Sequence, residues 1–324
     1  MLFRSQEESA VTEIGFASDF GGQGTRLCDV KATLEKIAKA GFTHIHWCHE
    51  WDGDYYYSHA EMELIKNWFD EYGLKAKSLH ASKGSRIRSA IRKDAESRKD
   101  FTSANEYSRR AGVELIKNRL DLAQVLGATE IVLHMYVPYM TFQEQPGSEE
   151  TFYQQAFRSL DELEPYARER GIRICLETML EAPAELQYEE FDRLFERYDK
   201  EYLGICWDTG HTHIILNERQ AEFGRRYQDR IFSVHLNDNL GGPRIGLTDH
   251  EDMAGSCDLH WIPGEGTIDW EEATEVLAAS SYELPIVMEL NGYDDQDEFL
   301  RRSYEAGVRL TEMITEKRQQ RRKK

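Results

Sequence analysis

The chain has 324 residues, with 59 acidic against 40 basic side chains and a formal net charge of -19. A surface this acidic repels phosphate backbones and disfavours general nucleic-acid binding. No run of about 18 apolar residues is present, which excludes a membrane-spanning helix, and the opening MLFRSQEESAVTE lacks the apolar stretch of a secretory signal. In chain order, short apolar or alternating runs predict strands at 11–20 (VTEIGFASDF), 43–50 (THIHWCHE), 74–82 (LKAKSLHAS) and 129–137 (TEIVLHMYV). Four more follow at 172–179 (IRICLETM), 202–211 (YLGICWDTGH), 231–238 (IFSVHLND) and 284–292 (LPIVMELNG). Segments with a 3.6-residue period lie between them, VKATLEKIAKAG and VELIKNRLDLAQVLG among them. Gly41, Gly73, Gly127 and Gly171 stand at helix ends just before the next strand.

Strands alternating with helices make parallel βαβ units, and eight such units predict an α/β fold of the (β/α)8 TIM-barrel type. A doubly wound sheet is the alternative, but its switch-point site would not call for polar residues at the end of nearly every strand. No linker rich in Pro, Ser or Gly divides the chain, so residues 1–324 read as one domain with a basic C-terminal tail at about 317–324. That tail, KRQQRRKK, holds six cations and is expected to fray into solvent. Five cysteines (Cys28, Cys48, Cys175, Cys206, Cys257) include no CxxC pair and leave one over. Free thiols in a reducing cytoplasm are the expectation.

In such barrels the carboxyl ends of the strands build the active site. Strand five ends in Glu177, strand six in Asp208, strand seven in His235 and strand eight in Glu289, each inside an apolar run: CLET, CWDT, VHLN and VMEL. A lone ionised carboxylate in such a place costs several kcal/mol without a partner. Three acids and an imidazole on adjacent strands, with no Lys or Arg inside those strand ends, call for a cation. Donors of this kind suit a hard divalent ion such as Mn2+, Mg2+ or Co2+, with positions left open for water or substrate. More donors surround them. His80 ends strand three, His134 ends strand four, and His211 follows Asp208 by three residues. Asp258 and His260 lie in DLHWIPGEG, within the glycine-containing loop at 239–266. These nine donors are enough for more than one ion, and the imidazoles draw the preference towards Zn2+. Read otherwise, His80, His134 and His260 hold substrate hydroxyls or brace the ligands from behind.

These residues carry a resemblance. LET at Glu177, WDTGH at Asp208, VHLND at His235, D-x-H followed by PGEGTIDW at His260, and MEL at Glu289 resemble the xylose isomerase-like barrel superfamily. That superfamily includes sugar phosphate isomerases and epimerases, ketose 3-epimerases and endonuclease IV, and the likeness covers nearly the whole chain. By resemblance, Glu177, Asp208, His235 and Glu289 match the metal ligands of the ketose epimerases, and His211 matches a substrate-contacting histidine. The same positions, with His80, His134, Asp258 and His260, match the three-zinc ligand set of endonuclease IV. Two departures leave the substrate open. Pro183 stands where the epimerases carry a further glutamate, with Glu181 and Glu185 nearby, and Gly241 stands where they carry an arginine, with Arg244 nearest.

The activity implied is that of a divalent-metal-dependent isomerase or epimerase of a sugar or sugar derivative, with Mn2+ the expected ion and Co2+, Mg2+ or Zn2+ as alternatives. A C–H bond beside a carbonyl is too weakly acidic to ionise unaided at neutral pH. A divalent ion on the carbonyl stabilises the enediolate as it forms, and Glu177 and Glu289 remove and return the proton. His211 and His80 orient hydroxyls, His134 and His260 hold the substrate, and Arg244 is placed for an anionic group. Trp51, with Trp47 and the Tyr55–Tyr57 run, is a candidate to stack on an apolar sugar face, core packing being the other reading. Two alternatives use the same ligands. One is a carbon-glycoside-cleaving lyase or deglycosidase working with a second subunit. The other is a zinc phosphodiesterase whose DNA-facing surface would be the basic segment 83–99, with Lys83, Arg86, Arg88, Arg92, Lys93, Arg98 and Lys99. Expected partners are a small sugar substrate and a second copy or subunit.

Overall fold

All eight expected strands form, and all but β3 end short of their apolar runs. They are β1 (Gly15–Ala17), β2 (His44–Trp47), β3 (Lys75–Ser82), β4 (Glu130–Leu133), β5 (Arg173–Glu177), β6 (Leu203–Asp208), β7 (Ile231–His235) and β8 (Val287–Met288). The computed structural model describes residues 12–22, 27–50, 55–82, 99–180, 182–242, 256–292 and 294–323. The runs outlast the hydrogen-bonded ladders because their flanks are buried as well: Ile14 and Ser18 beside β1, Cys48 and His49 beyond β2, Thr178 beyond β5.

The strands form one parallel sheet in the order β7-β6-β5-β4-β3-β2-β1-β8. Closure between β7 and β8 falls just past the end of β7, against β8 itself. Leu236 N donates to Val287 O at 3.0 Å and Glu289 N donates to Leu236 O at 3.3 Å, which makes a parallel bridge between Leu236 and Met288. The result is a (β/α)8 TIM barrel of the xylose isomerase-like type, closed at the level of His235 and Glu289.

The surrounding helices are α1 (Leu27–Lys39), α2 (His59–Tyr72), α3 (Glu106–Leu126), α4 (Tyr139–Glu144), α5 (Ser148–Glu169), α6 (Ala184–Phe195), α7 (Thr209–Leu216), α8 (Ala221–Arg226), α9 (Trp270–Ala279) and α10 (Gln296–Lys323). Local sequence sets their ends. Ser58 and Glu61 form a capping box at the start of α2, and Gly73 closes it in the left-handed region at φ 67°. Along β5 the two-residue alternation sends Ile174 and Leu176 outward into the helix-facing core, while Cys175 packs with Val132 and Cys206 on the other face. Glu177 therefore shares the interior face with Cys175.

The C-terminal cations do not fray within the described residues. Helix α10 continues to Lys323 because α9 presents partners to it. Lys317 Nζ donates to Glu271 Oε2 at 2.6 Å and Thr274 Oγ1 at 2.8 Å, Arg321 pairs with Glu275 at 2.7 Å, and the Arg318 guanidinium donates to the Tyr282 carbonyl. Among the described residues no helix is long and apolar enough to cross a membrane.

Candidate metal centre

Four strands deliver one polar group each to the carboxyl end of the barrel. Glu177 ends β5, Asp208 ends β6, His235 ends β7, and Glu289 follows β8 directly. His235 Nδ1 sits at their centre, 3.1 Å from Glu177 Oε1, 3.0 Å from Glu289 Oε2 and 3.9 Å from Asp208 Oδ2. Glu177, Asp208 and His235 are buried, and the Glu289 side chain is 13% exposed. One donor atom from each of the four lies within 4.8 Å of every other.

Asp208 has two roles. Its Oδ1 accepts from His211 N at 2.7 Å as the N-cap of α7, so the helix start and the ligand set are one construction. Oδ2 accepts from Asn237 Nδ2 at 2.9 Å.

The outlying donors assemble around this centre. His134 Nε2 lies 2.8 Å from Glu177 Oε2. His80 Nε2 lies 3.3 Å from Glu289 Oε1 and 3.7 Å from Glu177 Oε2. His211 Nε2 and His260 Nε2 approach the Asp258 carboxylate at 3.6 and 3.0 Å, and His260 Nδ1 is 3.0 Å from the Glu289 carbonyl oxygen. Two further groups of mutually close donors result, His80–His134–Glu177 and His211–Asp258–His260.

The loop after β7 reaches this position through Asp238. Its backbone exchanges two 2.9 Å bonds with Trp261, and its carboxylate accepts from Gly264 N, Ile268 N and Trp270 Nε1 at 2.8, 3.2 and 2.9 Å. The PGEGTIDW stretch is thus wrapped on one buried aspartate, which carries Asp258 and His260 over the barrel mouth.

The electrostatics ask for positive charge. Burial disfavours ionised Glu177 and Glu289, yet the neighbouring His235, with His134 beside Glu177 and His80 and His260 beside Glu289, holds both well below the usual carboxylate range. Burial and then the charges of Glu177 and Glu289 push Asp208 up to about 6, with His211 opposing. Burial also disfavours charged imidazoles, but the adjacent carboxylates raise His211 well above its ordinary value and His260 to about 10, and Cys206, then Glu289 and Glu177, raise His235. Among the described residues no lysine or arginine pairs with Glu177, Asp208 or Glu289. A donor set of three carboxylates and an imidazole, balanced otherwise only by protonated histidines, fits a divalent cation.

Trp51, Arg244 and Glu181 lie outside the described residues, as does the basic segment 83–98; Lys99 lies over the Tyr56 ring at 4.2 Å. Trp47 belongs to the core rather than to the site. It packs on Phe69 of α2, and its Nε1 donates to the buried Tyr57 hydroxyl at 3.0 Å. Three site residues escaped sequence reasoning: His46, Asn237 and Asp19. Burial and the nearby Glu289 push the Asp19 carboxyl up to about 6, against a hydrogen bond from Cys48. ASDF after strand one has the same signature as CLET, an acid following an apolar run, and would have marked Asp19.

The family model for the xylose isomerase-like TIM barrel matches residues 34–312. The chain belongs to that family. Within it, the chain is 33% identical over 298 residues to the uncharacterised protein y4fM of Sinorhizobium fredii, covering 89% of this chain and 91% of that one. It is 25% identical over 180 residues to an inosose dehydratase of Clostridium tetani, and 27% identical over 198 residues to a probable endonuclease 4 of Staphylococcus saprophyticus. Those alignments cover 54% and 55% of this chain, and 58% of each relative. Among solved structures, a D-tagatose 3-epimerase-like protein superposes with a TM-score of 0.67 at 23% identity, covering 94% of this chain and 99% of that one. An L-ribulose 3-epimerase superposes with a TM-score of 0.65 at 14% identity, covering 96% and 97%. These two likenesses are of fold.

Proposed function

We propose that the protein is a divalent-metal-dependent isomerase or epimerase of a sugar or sugar derivative, working by proton transfer at a carbon beside a carbonyl. One observation carries the reading. Glu177 and Glu289, from strands five and eight, each turn one oxygen to His235 (3.1 and 3.0 Å) and the other to a separate histidine, His134 at 2.8 Å and His80 at 3.3 Å. Two carboxylates with matching surroundings on either side of a common ligand are an acid and a base for opposite faces of one substrate carbon. His134 and His80 orient the far oxygens. His211, held at Nδ1 by the Thr178 carbonyl oxygen at 2.8 Å, turns Nε2 towards Asp258 and the barrel mouth, where a substrate hydroxyl would lie.

Glu177, Asp208, His235 and Glu289 would hold the ion, Mn2+ by preference for an oxygen-rich set. When bound it supplies Lewis-acid stabilisation of negative charge developing on the substrate oxygens. The relatives named inosose dehydratase and the sugar 3-epimerases of like fold support a polyhydroxylated substrate. All five cysteines are free, which supports a cytoplasmic location.

The test is solvent deuterium exchange into a panel of ketoses with Mn2+ present. The wild-type chain should label the carbon beside the carbonyl, and Glu177→Gln or Glu289→Gln should each lower turnover by roughly 10^2 to 10^4-fold. Full turnover in both variants would remove the acid/base assignment.

A second reading, hydrolysis of a phosphodiester by several zinc ions, draws on the three neighbouring donor groups and on the endonuclease 4 relative. Its outcome would be nicking of abasic duplex DNA at physiological salt. The net charge of -19 opposes it.

A further inference from the structure

A further donor group lies deeper on the barrel axis and shares only Glu289 with the acid/base pair. His46 of β2 is fully buried and in register with Ser78 of β3, one inward position below His80, which stands opposite Val132. Its Nδ1 is 2.7 Å from Ser78 Oγ, while Nε2 is buried with no hydrogen-bond partner. The ring lies edge-on to two others, 4.8 Å from His80 and 4.6 Å from His235 between centroids. One donor atom from each of His46, His80, His235 and Glu289 falls within 4.8 Å of every other.

We propose that His46, His80 and Glu289, with His235 beside them, form a second metal position that takes a zinc-class divalent cation beneath the carboxylate-rich one. The arrangement of His46 is that of a ligand. One ring nitrogen is anchored by a hydroxyl, which holds the ring plane, and the other is buried without a hydrogen-bond partner. A buried imidazole nitrogen without a partner is costly, and coordination removes that cost. The two positions differ in chemistry. The upper one offers three carboxylates and one imidazole, whereas the lower one is nitrogen-rich and suits tetrahedral zinc. Glu289 reaches both, since Oε2 faces His235 at 3.0 Å and Oε1 faces His80 at 3.3 Å. The lower position shares Glu289 and His80 with the reaction proposed above, whereas His46 belongs to neither half of the acid/base pair, so the His46 variants test the two readings separately.

The full chain is loaded with Zn2+, freed of excess, and assayed for bound metal, and crystals are measured at the zinc absorption edge. The expected result is an anomalous peak about 2.1 Å from His46 Nε2. One equivalent of zinc should be lost in both His46→Ala and His46→Gln while the remaining metal is kept, and His134→Ala should retain the lower ion. Cobalt loading gives a second readout: the intense visible bands of four-coordinate Co2+ should vanish in the His46 variants alone. The proposal is overturned if no anomalous peak lies within bonding distance of Nε2, an ordered water being found instead. It is equally overturned if the His46 variants keep every ion while His134→Ala releases one. Should His46→Ala fail to fold, the wild-type anomalous map decides by itself. Deuterium exchange is scored separately, so loss of the epimerase reading leaves this result standing.

Discussion

Asn237 donates from Nδ2 to Asp208 Oδ2 at 2.9 Å, and the pair exists because residue 210 is glycine. A Cβ at that position would stand 1.8 Å from Asn237 Oδ1 and 2.9 Å from Asn239 Nδ2. With His211 N on its other oxygen at 2.7 Å, Asp208 is held from both sides by an amide side chain and a backbone N–H.

Removing the amide by Asn237→Ala should leave the fold intact and weaken metal binding by roughly 10 to 100-fold, the usual effect of losing a group that orients a ligand. Competition against a chelator of known affinity measures it. Unchanged affinity would mean that Asp208 is oriented by the α7 cap alone.

Gly210→Ala should be worse, because the methyl group displaces Asn237 and strains the first turn of α7. A loss of about 1–3 kcal/mol in urea unfolding is expected, together with a drop in metal affinity at least as large as in Asn237→Ala. A variant as stable as wild type would show that the Asn237 side chain can swing away at no cost.

Chelation should lower the thermal midpoint. Three carboxylates gathered at one point are stabilised by a divalent ion that binds only the folded chain, and at 100 times Kd that linkage amounts to about 2.7 kcal/mol. Melting in EDTA and after Mn2+ or Zn2+ is restored measures the effect. Identical midpoints would argue against a resident ion.

Glu190 of α6 gives a pH dependence far from the metal centre. It is buried, Tyr139 OH donates to its Oε2 at 2.8 Å, and burial pushes its carboxyl from 4.5 up to about 8, the tyrosine bond opposing. Because the folded value lies above the unfolded one, the protonated acid is the form the fold prefers. Its contribution is fully present below pH 4.5 and lost as pH rises through about 8. Glu190→Gln keeps the shape and cannot ionise. It should match wild type near pH 4.5 and exceed its stability above pH 8 by on the order of 3–5 kcal/mol. Chemical unfolding across that range checks it, and a difference independent of pH would refute the burial argument.

The barrel and its principal ligands were legible because each strand announces itself as an apolar run, and an acid or imidazole at the end of such a run stands out against it. Trp47 and His46 were read less well, for one shared reason. THIHWCHE is buried on both faces of β2, as strands of a parallel sheet are, so composition does not say which alternate residues face the axis. The fold sends His46 inward to His80 and His235 and Trp47 outward to Phe69. The C-terminal cations were misjudged because a run of charge looks solvated until Glu271 and Glu275 of α9 are seen beside it.

The strand–helix rhythm, the closed barrel it implies and the donors at the strand ends are local properties of the chain, since they follow from periodicity and from the cost of burying an unpaired charge. Which donors meet depends on how the barrel closes. His80 and Glu289 are 209 residues apart and come within 3.3 Å only because β8 closes against β1 and β7. Closure also set the phase of each strand, placing His46 beneath the carboxylates and Asn237 behind Asp208. Those contacts join residues distant in the chain, and local patterning carries no record of them.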